Sequence, residues 1–137
     1  MSSYLNFYVR GANESENQNH YLCSYSRSSK IYEIFHAPYG GLAELTADLL
    51  HEYISDVREA IAAAKRRREF FEKEAAALYE MNAPLSERME LWTDIQCSID
   101  QMEDELEELR FAQSFGEVLM EMVEWQSENK YFYGIDC

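Results

Sequence analysis

No stretch of this sequence reaches the ~18 consecutive apolar residues of a membrane-spanning helix, and Met1 to Arg10 has no basic region followed by an apolar core. The expectation is a chain with neither signal peptide nor membrane segment, and with no membrane partner. Cysteine is equally scarce. Cys23, Cys97 and Cys137 are odd in number and have no CxxC spacing, which excludes a disulfide framework and a closed zinc site and favours a reducing cytoplasm.

Catalytic patterns are missing as well. His20, His36 and His51 are dispersed, and neither the His-Glu-x-x-His pattern nor the paired Glu-x-x-His motifs of a carboxylate-bridged metal bundle occurs. Asp48 and His51 share a helical face at i, i+3, but a single such pair is common by chance. No Gly-rich phosphate-cradling motif is present, which argues against a nucleotide enzyme of familiar type. Cys23 and His20 lie close in the chain, yet neither sits in a strand-to-helix elbow or beside a Gly-rich oxyanion loop, so a Cys/His enzyme is only a remote alternative. The reading assigns no catalytic residue, no metal site and no cofactor.

What is present is large side chains and acid. Ten Tyr and seven Phe among 137 residues are too many for a disordered chain, and the length suits one domain spanning residues 1–137. The formal charge of −14 is unevenly placed. Residues 1–41 carry three Lys/Arg against three Asp/Glu, residues 42–80 six against nine, and residues 81–137 three against fourteen. Such a field repels nucleic acid at long range and attracts basic surfaces, within the ~8 Å screening length of physiological salt.

Tyr4 to Val9 and Tyr21 to Tyr25 are aromatic-rich and partly alternating, with the polar run Gly11 to His20 between them. They predict a β-hairpin with a long mobile loop. Ser28-Ser29 offers an N-cap for a short helix over 30–35 that Pro38 and Gly40-Gly41 end, which completes a segment of residues 1–41. The terminal Tyr131-Phe132-Tyr133-Gly134-Ile135 has strand composition. It is open to two placements, a third strand beside the hairpin or an aromatic tail over 129–137.

Between these ends lie two helical patterns. Leu50, Ile54, Val57, Ile61, Ala64, Arg68, Phe71, Ala75 and Leu78 alternate in steps of four and three within a long helix over 42–81. Asn82-Ala83-Pro84 turns the chain. A second helix over 85–128 repeats the pattern through Leu85, Met89, Trp92, Ile95, Ile99, Met102, Leu106 and Leu109. These are the seams of an antiparallel coiled coil. Near Gly116 the apolar stripe slips sideways onto Phe111, Phe115, Val118, Met122 and Trp125, which predicts a bend or a new packing partner. The fold class read is mainly α with minor β, a long antiparallel helical hairpin with a small N-terminal β-hairpin.

Three surface features bear on function. Lys65-Arg66-Arg67-Arg68 has the composition of a nucleic-acid patch, but a hairpin turning near residue 83 places Lys65 and Arg66 beside Asp100 and near Glu103, so pairing across the hairpin is the simpler reading. Arg68, at a seam position, is expected to bury its stem and send its guanidinium to the surface. The Tyr-rich hairpin offers faces on which bases stack, but its balanced charge lacks the electrostatic term of nucleic-acid affinity. The acidic residues Asp100, Glu103, Asp104, Glu107 and Glu108 read either as a solvated helix face or as a docking face for a basic partner.

The leading expectation is a non-catalytic interaction protein that presents this acidic surface to a basic protein. A more specific form is an inhibitor of phage or mobile-element type that mimics DNA in a nucleic-acid-binding groove. The alternative is a self-associating scaffold. In either case the off-seam residues Phe111, Phe115, Val118, Met122 and Trp125 suggest a homodimer, because two helices alone leave them wet.

Overall fold

The computed structural model describes residues 3–136; Met1, Ser2 and Cys137, the third cysteine, lie outside them. In chain order the elements are β1 (Tyr4–Arg10), β2 (His20–Ser26), α1 (Lys30–Phe35), β3 (Ala43–Glu44), α2 (Ala47–Ala77), a 3-10 turn (Leu78–Glu80), α3 (Leu85–Trp125) and β4 (Lys130–Asp136). The chain is mainly α, with a long helix pair and a small antiparallel sheet. It divides into two compact units, one of Met1–Val57 with Phe111–Cys137 and the other of Arg58–Arg110.

The first unit holds the sheet, ordered β2-β1-β4-β3. The C-terminal segment is therefore a strand, and an internal one, paired to β1 along its length from Tyr4↔Asp136 to Arg10↔Lys130. Alternation decides which side chains go inward. Leu5, Tyr25 and Ile135 align across three strands, as do Phe7, Cys23 and Tyr133. Leu5, Phe7, Tyr133 and Ile135 of these rows are buried. Phe7 is 1% exposed, with its ring 5.0 Å from that of Phe115 and 5.2 Å from that of Phe35. Phe35 in turn lies 4.6 Å from Tyr53 and 5.1 Å from Tyr133. Edge-to-face pairs of this kind add roughly 0.5–1.5 kcal/mol each beyond area burial.

The loop from Gly11 to Asn19 is hydrogen-bonded within itself, where the sequence suggests a mobile one. Arg10 Nε donates to Asn19 Oδ1 at 2.9 Å, and the amides of Gly11 and Ser15 donate to Glu14 Oε1 and Gln18 Oε1 at 2.7 and 2.8 Å. After β2, Ser29 caps α1 by accepting from the Ile31 amide at 3.2 Å. The chain then runs along β4, with Ile135 N donating to Pro38 O at 2.9 Å and Leu45 N to Tyr131 O at 2.7 Å. Glycine is required at 134 because the Gly41 carbonyl sits where a Cβ would project. This strap, with the two-residue β3, explains why the first long helix starts at Ala47 and not at Leu42. Thr46 Oγ1 accepts from the Leu49 amide at 3.2 Å and opens α2.

The stripe on α3 does not slip at Gly116. Helix assignment runs unbroken from Leu85 to Trp125, and Leu109, Ala112, Gly116 and Leu119 are all buried, continuing the seam in steps of three and four. Ala112 and Gly116 carry too little apolar surface to stand out in the sequence pattern, but Ala112 is fully buried and their smallness is what the site needs. Tyr53 OH donates to Ala112 O at 2.8 Å, and a Cβ on Gly116 would lie 2.7 Å from Tyr53 Cε2 and 3.0 Å from Ile54 Cγ1. The off-seam stripe belongs instead to a face about 100° around the helix.

In the second unit, α2 and α3 carry the expected seam on Ala64, Ile99, Leu106 and Leu109, which are buried, and on Ile61, Phe71, Ile95 and Met102, which are half-buried. A 3-10 turn closes with Met81 N donating to Leu78 O at 3.3 Å, and α3 opens with Arg88 N donating to Pro84 O at 3.1 Å.

Two outcomes follow from the Tyr53 contact. Gly116→Ala gains about 1 kcal/mol of helix propensity, but the added methyl meets a ring held at its hydroxyl by Ala112 and at its face by Phe35. Overpacking costs roughly 1–3 kcal/mol, so a net loss of about 1 kcal/mol is expected in urea unfolding, and Gly116→Leu should lose more. A stabilised Gly116→Ala variant would contradict the close approach. The second outcome concerns alkaline pH. Burial raises the phenols of Tyr53, Tyr133 and Tyr25, the last to about 12 from an ordinary 10.0. A folded-state value above the unfolded one means that the neutral phenol is favoured in the fold. That contribution is complete below pH 10 and is lost as pH rises from 10 toward 12. The urea midpoint should fall across that window, and less steeply for Tyr53→Phe. At neutral pH this variant is expected to lose about 0.5–1.5 kcal/mol with its hydrogen bond.

Candidate interaction surface

The carboxylates of α3 in the second unit fall into two groups. Leu106 and Leu109 point to the seam, and at 3.6 residues per turn Asp100, Glu103, Asp104, Glu107 and Glu108 occupy an arc of about 140° on the opposite side. All five are exposed. Glu105 lies outside this arc, half-buried beside Leu106, and its Oε1 is 3.8 Å from Arg67 Nη2. Asp100 Oδ1 also accepts from Gln96 Nε2 at 3.1 Å, one turn earlier on the same helix.

The basic run resolves differently from the sequence reading. Across the hairpin Arg67 pairs with Glu105, and among the described residues neither Lys65 nor Arg66 pairs with Asp100 or Glu103. Glu105 is half-buried within reach of Arg67, whereas Asp100 and Glu103 are exposed. Arg68 is half-buried as its seam position requires, with its Nε buried and 3.6 Å from Glu72 Oε1. Within this unit residues 58–77 of α2 carry six Lys/Arg and four Asp/Glu, while residues 85–110 of α3 carry two and nine. The net negative charge is thus confined to one helix of the pair.

The off-seam stripe lies in the first unit and is divided. Phe115 is half-buried, its ring 5.0 Å from Phe7 and 4.9 Å from Tyr25, so the sheet covers it. Phe111 touches Tyr25 edge-on at 6.2 Å but stays largely exposed. Val118 is exposed and Trp125 is 84% exposed, and with the half-buried Met122 they line a shallow concavity of about 360 Å³.

The opposite face of the sheet, identified by the strand register, presents Tyr8, Tyr21 and Phe132. Arg10 lies over the Phe132 ring at 4.3 Å, and Lys130 pairs with it across β1 and β4. Glu44 and Asp136 share that face, so its two cations meet two anions. An aromatic platform without net positive charge has no long-range attraction for phosphate.

Cys23 and His20 are engaged elsewhere. Burial pushes the Cys23 thiol up, partly offset by its hydrogen bond with Tyr25, which moves it away from the thiolate that a nucleophile needs. His20 Nε2 lies 2.5 Å from Glu14 Oε2, and this hydrogen bond, ahead of the Gly11 amide, holds the Glu14 carboxyl below its usual range. Cys23 and Cys97 are both free thiols. Among the described residues no three His, Cys, Asp or Glu side chains converge as a metal site, and no helix is long and apolar enough to cross a membrane.

Compared with protein-family models, curated proteins and solved structures, the chain matches none. Its function must therefore be argued from this surface alone.

Proposed function

We propose that the chain is a non-catalytic interaction protein that presents the outward face of α3 to a basic surface on another protein. The observation that carries this reading is the sorting of carboxylates: Asp100, Glu103, Asp104, Glu107 and Glu108 stand exposed on one arc, while Glu105 is turned aside to Arg67. Five acids spaced along one straight element make a strip of negative charge of the kind a nucleic-acid backbone presents. A groove that binds nucleic acid is therefore the partner surface such a strip fits best, and occupying it would inhibit that partner. A reducing, cytoplasmic setting suits the free Cys23 and Cys97.

Exposed ion pairs contribute roughly 0.2–1 kcal/mol each, so four together change affinity by on the order of ten- to a hundredfold. Capture of partners from the host extract on immobilised chain, at low and at high salt, tests the reading. Basic proteins should be retained at low salt, released at high salt, and lost from a variant carrying Glu103→Gln, Asp104→Asn, Glu107→Gln and Glu108→Gln whose helicity by circular dichroism is unchanged. A retained set indifferent to both salt and these substitutions would sink it.

A further inference from the structure

The tip of the helical hairpin, contained entirely in the unit Arg58–Arg110, is left unexplained by the acidic face. Leu85, Met89 and Trp92 have seam spacing, yet they are 67%, 53% and 44% exposed. The cause lies in α2, which ends in Ala75-Ala76-Ala77 and then tightens into the 3-10 turn of Leu78–Glu80. Alanines fill too little volume against the large side chains at the start of α3. A concavity of about 280 Å³ results, lined by Ala75, Leu78, Leu85, Met89 and Trp92 together with Tyr79, which is 87% exposed.

Arg88 also lines this concavity, and its Nε is buried without a hydrogen-bond partner among the described residues. Its own helix offers no acceptor. The positions three and four residues away are Pro84, Leu85, Leu91 and Trp92, none of which carries a carboxylate. Glu87 and Glu90 are one and two residues away and project to other sides of α3, and Glu80 lies in the turn; all three are exposed. A buried guanidinium nitrogen left unmatched is costly, so an acceptor brought to Arg88 from outside stabilises the tip.

We propose that this tip is a self-association interface in which two copies of the chain pack tip to tip about a twofold axis. Each copy supplies what the other lacks: the protruding Tyr79 and Leu85 enter the opposite concavity, and a carboxylate of Glu80, Glu87 or Glu90 meets the opposite Arg88. Cation, knob and hole line one concavity, the exposed carboxylates flank it at the same end of the hairpin, and a twofold contact requires that self-complementarity. The area is adequate too. With Met81 and Leu91 the exposed side chains offer on the order of 600 Å² of apolar surface per copy, taking about 150–250 Å² for a whole aromatic side chain. A standard interface needs about 800 Å² per partner, of which roughly 65% is apolar in homodimers. The interface does not rest on the acidic-face reading, and it differs from the stripe through Phe111 and Trp125 that the sequence suggests.

Light scattering coupled to size exclusion, at micromolar concentration, reads the outcome. The chain should show twice its own mass, and Arg88→Glu and Leu85→Glu should each raise the dimer Kd more than about tenfold with helicity kept. Val118→Glu, on the other stripe, should leave the dimer intact. A Trp125→Phe variant leaves Trp92 as the sole tryptophan and needs no disruptive change at the tip; its emission should shift to the red on dilution as Trp92 becomes wet. A single-chain mass with Trp92 emission constant over the whole dilution series would overturn the proposal. So would a dimer that survives both tip substitutions, or one that only Val118→Glu dissolves.

Discussion

The ring of Phe7 is the contact on which the first unit depends, because it meets rings from β2, β4, α1 and α3. Its neighbours are Tyr25, Tyr133, Phe35 and Phe115, with centroids between 5.0 and 6.5 Å away. A strand slipped by one residue would send Asn6 or Tyr8 into that space, so the register of β1 against both neighbours is set from the core side. The irregularity after Phe7, where Tyr8 pairs with Tyr21 and Leu22 is passed over, falls just beyond the ring that must stay in place. Because β4 closes the sheet beside β1, this core forms only when residues from both ends of the chain have met. The second unit, by contrast, is a local hairpin whose two strips of helix are joined by a short turn.

Periodicity reads direction well and volume poorly. Leu50, Ile54, Val57 and Ala64 were legible as seam because most carry large apolar groups at the right spacing, and all four are buried. Ala112 and Gly116 were not, since a missing side chain leaves no hydrophobic mark. Only the position of Tyr53 on the facing helix shows that smallness is required there. The eye then follows the nearest large residues, Phe111 and Phe115, onto a neighbouring face; that face does gain a new partner, since the sheet covers Phe115, but the seam continues beside it through Ala112 and Gly116. Strand order is hidden for a different reason. The composition of Tyr131 to Ile135 marks a strand, but its internal position comes from pairing on one side with β1, more than a hundred positions away, and on the other with β3, whose two residues have no pattern to find.

The charge of α3 was legible as a count and less so as a surface. Nothing in the run from Glu103 to Glu108 separates Glu105 from its neighbours in the sequence; in the structure it is the half-buried acid of the run and lies 3.8 Å from Arg67. The expected pairing of Lys65 and Arg66 with Asp100 and Glu103 gives way to that of Arg67 with Glu105, the acid held closest to the facing helix. What remains outward is a strip of carboxylates far in excess of the cations on its own helix, since residues 85–110 carry nine Asp/Glu and only two Lys/Arg.

The tip joins these two lessons. Seam spacing through Leu85, Met89 and Trp92 persists to the end of the hairpin, but spacing only aims side chains at a partner and does not guarantee that the partner has bulk. Opposite them the sequence places three consecutive alanines, excellent for holding the last turns of α2 in helix and poor at covering a tryptophan. The alanine run therefore has opposite effects at two levels, stabilising local structure while opening the packing between helices. Arg88 sits where that opening is, its Nε withdrawn from water and its own helix unable to supply an acceptor. Apolar surface and an unmatched donor in one small concavity cannot both be relieved by solvent, since water that satisfies the guanidinium must also wet Trp92 and Met89. An occupant that brings a carboxylate together with apolar side chains relieves both at once, and the tip of this chain carries that combination itself.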